Sequence, residues 1–396
     1  MKNIDKFNFS GKKVLIRVDF NVPQNEEGRV TDNTRIVAAK PTIDKVLNEG
    51  GAAILMTHLG RPKGKREPKY SLEAVVGEVA KVMGRPVKFA HDCIGPIAQV
   101  AVAELKAGEI LLLENLRYYP EEEAGDQEFA EKLSQLGDIY VNDAFGTAHR
   151  KHASTAVIAD FFPDKKTFGY LMAQELEAID KVLHNGEKPV TAILGGSKVS
   201  SKITIIEHIL PALDNLIVGG GMAFTFIKAK GGAIGNSLVE EDKLDLALHI
   251  LKSAAEHNVK VYLPVDVVAA KEFKNDSEAK QFDAYDIPEG WMGLDAGEKT
   301  AAKFNDVILS SRTILWNGPL GVFEMPNFSK GTVKLGDSIA EATALGAFSL
   351  VGGGDSVAFA KQYAYDQKVS YVSTGGGAML ESLEGKELPG VEAIKK

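Results

Sequence analysis

The chain has 396 residues, 44% apolar and 25% charged, a balance that suits two or three packed domains and excludes both disorder and miniprotein scaffolds. With 46 Lys and Arg against 54 Asp and Glu the net charge is −8, so no bulk attraction draws the chain to nucleic acid or anionic lipid, and any anion site must be a local cluster. Cys93 is the only cysteine, which excludes a disulfide framework and multi-cysteine metal centres and fits a reducing cytosol.

Residues 1–11 carry no apolar run of signal-segment length, and no stretch approaches a membrane span, so a soluble, cytoplasmic protein is expected. Apolar runs at 14–20, 52–57, 110–113 and 139–141 are the strands expected in the first half. They alternate with helical periodicity at 36–49, 72–83 and 128–136. A continuous helical pattern at 171–183 leads into the polar stretch 184–188 and Pro189, the best place for a boundary. Beyond it, strands are expected at 190–194, 216–218, 259–264, 313–316, 348–351 and 369–373. Alternation of this kind is the mark of an α/β fold with parallel sheets, here in two similar-sized domains held by a helix.

Four of the later strands run into glycines, at 195–196, 219–221, 352–354 and 375–377, and each cluster is expected to open a helix. Glycine after a parallel strand lets a ligand approach the backbone, and the helix end behind it offers unpaired N–H groups, so four such turns suggest a polyphosphate site. The same glycines are also ordinary turn chemistry. None completes a dinucleotide fingerprint, because Phe224, Val357 and Leu380 stand where the third glycine belongs, and no P-loop is present. Lys198 and Lys202 follow the first cluster at the expected start of a helix, where cations oppose the helix dipole unless an anion sits there. Arg35, just after the cap candidates Asp32 and Asn33, carries the same anomaly.

In the first half, Arg17, Asp19 and Asn21, then His58 and Arg61, then Arg117, then His149, Arg150, Lys151 and His152, lie at or beyond strand ends and converge on one rim, suited to a small anion. The bland alternatives are that Arg117 pairs with Glu114 and that Asp19 orients Arg17. Asp355 is either an N-cap or a Mg2+ ligand beside phosphates. The 316–324 run offers an apolar turn for a flat ring, with Glu324 near a ribose.

Taken together, Arg17-Val18-Asp19-Phe20-Asn21-Val22-Pro23, His58-Leu59-Gly60-Arg61-Pro62, the Asn142–Arg150 run, Gly196-Ser197-Lys198-Val199, Trp316–Glu324, Gly352–Asp355 and Thr374–Gly377 resemble phosphoglycerate kinases, in order over nearly the whole chain. The resemblance implies two Rossmann-like domains: 1–170, with a returning segment 385–396, for 3-phosphoglycerate, and 185–384 for Mg-ATP or Mg-ADP, joined by a helix at 171–184. It implies that Asp19, Phe20, Asn21, Arg35, His58, Leu59, Gly60, Arg61, Arg117 and Arg150 bind the three-carbon acid. Lys198, Lys202, Gly220, Gly293, Leu294, Val322, Glu324, Gly353, Gly354, Asp355 and Ser356 would bind nucleotide, with Asp355 also on Mg2+. Arg35 and Lys198 would be catalytic, and Gly354, Gly376 and Gly377 would supply backbone donors to the transition state. Ser201 departs from the aspartate familiar at that position.

The implied reaction is reversible phosphoryl transfer between 1,3-bisphosphoglycerate and ADP, by hinge closure, in a monomer with no nucleic-acid or membrane partner. In the reverse direction a carboxylate attacks, already anionic at pH 7, so positioning and charge neutralisation suffice without a general base. A non-catalytic nucleotide or anion sensor is the rival from another class, and a nicotinamide dehydrogenase is disfavoured by the missing fingerprint.

Overall fold

A computed structural model describes residues 3–396. Their contacts divide the chain into two compact units, one running to Leu176 and taking in Glu387–Lys396, the other Glu177–Lys386.

The first unit contains β1 (Lys13–Arg17), α1 (Thr34–Asn48), β2 (Ala52–Met56), α2 (Glu73–Met83), β3 (Val87–Ala90), α3 (Gly95–Ala103), β4 (Ile110–Leu113), α4 (Pro120–Ala124), α5 (Gln127–Ser134), β5 (Ile139–Asn142) and β6 (Lys166–Phe168). The strands form a parallel sheet in the order β3-β4-β2-β1-β5-β6, with β1 central and Arg17 opposite both Met56 and Asn142. Central strands such as β2 and β4 are buried at every position, as a parallel sheet covered on both faces requires. Val14, Ile16, Ile36, Ile43, Leu55, Val75 and Leu112 meet in the core on one face. The helix α6 (Tyr170–Leu183) then carries the chain past the division at Leu176.

In the second unit come β7 (Val190–Leu194), α7 (Ile203–Ile209), β8 (Asn215–Val218), α8 (Met222–Ala229), β9 (Ala233–Ile234), α9 (Leu244–Glu256), β10 (Lys260–Tyr262), β11 (Asp266–Ala270), β12 (Ala279–Asp283), β13 (Asp286–Ile287), β14 (Met292–Ala296) and α10 (Glu298–Leu309). After them come β15 (Thr313–Asn317), α11 (Lys330–Ala344), β16 (Phe348–Val351), α12 (Gly354–Gln362), β17 (Tyr371–Val372) and α13 (Gly376–Leu383). A parallel sheet runs β10-β8-β7-β15-β16-β17. Behind it Phe359 of α12 packs against Trp316, Phe323, Tyr363 and Tyr365 with ring centroids 4.5–5.9 Å away. This aromatic cluster fixes α12 from below and so sets where its first turn, with Asp355, lies. The last helix, α14 (Pro389–Lys395), belongs to the first unit, where Gly390 N donates to Ala148 O at 2.9 Å.

The structure adds elements that the sequence pattern does not announce: β3 and β6, the antiparallel sheet β12-β11-β14, and the short β13-β9 pair. It also corrects one expectation about the glycine turns. Gly221, Gly353 and Gly375 are N-caps of α8, α12 and α13, but the 195–196 turn opens no helix at once. Residues 197–202 form a loop and α7 starts at Ile203, with Lys202 rather than Lys198 at its cap. No helix among the described residues is long and apolar enough to cross a membrane.

Candidate functional site

In the first unit the residues expected to bind the acid are tied to one another. Arg35, on the second residue of α1, donates from Nη1 to Asn21 O at 3.1 Å and pairs with Asp19 Oδ2 at 3.0 Å. Asn21 Oδ1 accepts from Gly60 N at 2.9 Å, and Gly60 O accepts from Arg117 Nη1 at 3.1 Å. Three loops after β1, β2 and β4 are thereby drawn onto one rim. Buried Asn115 locks two of them: its Oδ1 accepts from Leu59 N and Arg117 N, and its Nδ2 donates to Leu59 O. Phe20 and Leu59 are buried, and Phe20 N donates to Thr57 Oγ1. Arg61 and Arg150 are exposed, able to swing onto an anion.

Beneath that rim lies a buried polar chain. Arg17, fully buried, donates from Nε to Ser154 Oγ at 2.8 Å, while Ser154 donates to the Glu122 carboxylate. Arg17 Nη2 stands 3.3 Å from His58 Nδ1, so the ring accepts there and is neutral. Burial pushes the His58 pKa well down, and Arg17, Arg117 and Arg35 push it further. Burial, followed by the charges of Arg117, Arg17 and Arg150, holds His152 at about 4. Burial raises the pKa of Glu122, an effect that Arg17 opposes. Concentrated positive charge at the foot of a rim is what a phosphate would neutralise.

In the second unit a cavity of about 410 Å³ opens at the carboxyl ends of β7, β8 and β15. Gly220, Gly293, Leu294, Val322, Glu324 and Asp355 line it. The glycines there answer to two causes. Gly195 packs on Gly318 and Pro319, Gly219 on Leu320 and Gly352 on Met379, so a side chain would clash within the protein itself. Around Gly196 and Gly354 the space is open, which leaves those backbones approachable. Gly376 lies against Gly353 and Gly354, bringing two of the glycine turns together. Lys202 Nζ donates to Asn317 Oδ1, and Asn317 Nδ2 donates to Gly352 O at 2.8 Å, so the last residue of β15 ties the lysine to the glycine turn. Burial lowers the Lys202 pKa while the Asp355 carboxylate counters it, which places the two within electrostatic reach. Lys198 is exposed on its loop, and Ser356 Oγ accepts from Gly318 N at 2.6 Å.

A phosphoglycerate kinase family model matches residues 4–386. The chain belongs to the phosphoglycerate kinase family. It is 53% identical to the phosphoglycerate kinase of Porphyromonas gingivalis, with 99% of each chain covered, and 50% identical to that of Borrelia hermsii over the whole of both. Among solved structures it resembles the phosphoglycerate kinase of Coxiella burnetii, at 40% identity and a TM-score of 0.91, covering 99% of this chain and 98% of that one. The enzyme of Pyrococcus horikoshii OT3 aligns at 31% identity and a TM-score of 0.81, covering 100% of this chain and 98% of that one. The activity is therefore phosphoryl transfer to a carboxyl group, the reversible phosphoglycerate kinase reaction, and nothing in these matches supports a non-catalytic sensor.

Phosphoglycerate kinases use ATP or ADP with Mg2+. The donor set fits such an ion. Asp355 offers one exposed carboxylate at the cavity edge, and no group of three His, Cys, Asp or Glu able to cage a metal occurs among the described residues. Mg2+ that takes its remaining oxygens from phosphate and water needs no more than that.

The bland alternatives for two charged residues do not hold. Glu114 accepts from Ser71 Oγ and the amides of Leu72 and Asn115, and the carboxylate nearest Arg117 is Glu123, at 3.6 Å. Asp19 pairs with Arg35, and Arg17 turns instead to Ser154, His58 and Val18 O. Asn115, Asn317 and the Glu122–Ser154 pair escape sequence reasoning. The one available signal is that Asn115 and Asn317 each stand at or just beyond the end of a buried apolar strand.

Proposed function

We propose that the first unit binds 3-phosphoglycerate on the Asp19–Asn21–Arg35–Gly60–Arg117 rim and that the second binds Mg-nucleotide in the glycine-walled cavity. The observation that carries the reading is the linked rim, where one chain of hydrogen bonds and an ion pair aims residues from three loops at one place. Asp19 and Asn21 take the glycerate hydroxyl and carboxyl end, and His58, Arg61, Arg117 and Arg150 take its phosphate. In the cavity, Gly220, Gly293, Leu294 and Val322 flank the adenine and Glu324 reaches the ribose. Lys202, Gly353, Gly354 and Ser356 serve the phosphates.

In this reading Asp355 holds Mg2+, which when bound neutralises phosphate charge. The carboxylate of 3-phosphoglycerate attacks without a general base, because it carries no proton at pH 7. Arg35 and Lys198 neutralise charge on the moving phosphoryl, and the backbone donors at Gly354, Gly376 and Gly377 add to that neutralisation. Hinge closure belongs to the reading, since a phosphoryl group passing between ligands on separate units must be shielded from water. A cytoplasmic monomer completes it.

The test is to mix ATP and 3-phosphoglycerate and trap the acyl phosphate with hydroxylamine. The unaltered chain should give the hydroxamate, while Arg35→Ala and Lys198→Ala should each lower kcat by about 10²–10⁵. Near-normal kcat in both variants would remove the proposed roles.

A further inference from the structure

Residues 236–240, just after β9, form a strap that touches three walls of the cavity. Asn236 Oδ1 accepts from Gly290 N at 3.0 Å, and Ser237 Oγ accepts from Gly293 N at 2.9 Å, tying the strap to the segment around β14. Leu238 lines the cavity itself. Glu240 N donates to Thr225 Oγ1 of α8 at 3.1 Å. The strap then ends in a carboxylate that grips the loop after β7: Glu240 Oε2 accepts from Ser200 N at 3.0 Å, and Oε1 accepts from the Ser200 hydroxyl. That loop carries Lys198, two residues earlier.

Lys198 is exposed, so its aim depends on the backbone that bears it. Within the loop, Ser201 Oγ donates to Lys198 O at 2.8 Å, and Val199 is fully buried. The anchor that reaches this loop from the base-binding side is Glu240. Burial works to raise its pKa, but the Ser200 hydroxyl and the amides of Ser200 and Val199 outweigh it, and the carboxyl lies below its ordinary value. It is charged, and a full acceptor, at neutral pH.

We infer that Glu240 is a positioning residue for phosphoryl transfer, holding the Ser200 turn against the base-pocket strap so that Lys198 is aimed before the nucleotide arrives. The inference rests on the catalytic role proposed for Lys198. Glu240 touches no reacting atom; its effect passes through the lysine. A misplacement of about 1 Å in such a group costs on the order of 10²-fold in rate, and loss of a supporting residue typically 10–100-fold.

A double-mutant cycle on the full chain tests this. The readouts are kcat at saturating 3-phosphoglycerate and ATP, and KM for ATP. Glu240→Ala should lower kcat about 10–100-fold, with KM for ATP changed less than about threefold, because the walls around Leu238 and Gly293 remain. In a Lys198→Ala background the same change should cost less than about twofold, since the group it positions is gone. A general loss of structure would lower kcat by the same factor in both backgrounds, and that result overturns the inference while leaving the role of Lys198 intact. Normal kcat in Glu240→Ala also overturns it. Near-normal kcat in Lys198→Ala alone removes both the catalytic role and the inference built on it. Should Glu240→Ala fail to fold, Ser200→Ala, which deletes only the hydroxyl contact, carries the same cycle with an expected loss of several-fold.

Discussion

His58 and His152 are neutral bases held among arginines, and what each ring contributes to the stability of the first unit is lost in mild acid. Burial comes first in depressing both, followed by the arginine charges, so in the folded chain His152 titrates at about 4 and His58 well below its ordinary value. In the unfolded chain both return to about 6.5. Between those limits the two rings bind more protons in the unfolded state, so their contribution to stability falls as the pH drops below about 6.5, while the buried Asp143 carboxyl, raised to about 7, works in the opposite direction. Each histidine contributes a slope of at most about 1.4 kcal/mol per pH unit, reached only where the folded ring is neutral and the unfolded ring charged. Urea unfolding at pH 7 and pH 5 should show this contribution as the difference between the unaltered chain and His152→Asn, the variant losing less stability on acidification. Inorganic phosphate should flatten it as well, because an anion on the rim offsets the arginines. An identical pH slope in the His152→Asn chain would show that this ring does not titrate as its surroundings require.

Among the elements, α12 bears the most constraint. Its N-cap Gly353 has φ +91°, a conformation that side chains rarely adopt, and a Cβ there would press on the Asn317 amide. Gly353→Ala should therefore cost about 1–3 kcal/mol in backbone strain alone. At roughly 2–4 °C per kcal/mol for a unit of this size, that is several degrees of Tm. Because Asn317 also receives Lys202, nucleotide affinity should fall with it. Gly354→Ala, with open space around the added methyl and no positive φ, should leave Tm nearly unchanged. Equal Tm losses in the two variants would mean that the strain does not reside at Gly353. The same scale explains what the sequence discloses. Apolar runs ending in glycine mark β7, β8 and β16 because those strands are buried throughout or nearly so, whereas β17, before the fourth glycine cluster, is two half-buried residues long. The β12 strand is exposed at all but one position and β9 and β13 span two residues each, so no hydrophobic period announces them. In the site, the residues proposed to meet ligand stand in short local motifs, which is why the sequence points to them. Arg17 depends on Ser154, 137 residues away, and Asn115 on Leu59, 56 residues away, and no local pattern encodes either partnership.

The molecule as a whole provides two natural probes, one per unit. Both tryptophans, Trp291 and Trp316, lie in the second unit, and the single cysteine, Cys93, is buried in the first. Burial also pushes the Cys93 thiol pKa well up, so the folded thiol reacts slowly and its labelling reports opening of the first unit. A ligand at 100 times its Kd stabilises whatever binds it by about 2.7 kcal/mol. Mg-ADP at that level should shift the tryptophan-monitored urea transition by that amount and barely move the urea concentration at which Cys93 becomes reactive. 3-Phosphoglycerate should do the reverse. Equal shifts of both probes by either ligand would mean that the units unfold as one cooperative block. Protection of Cys93 by Mg-ADP, with the tryptophan transition unmoved, would exchange the two ligands between the units and overturn the assignment of the cavity, because a ligand can stabilise only the structure that it binds.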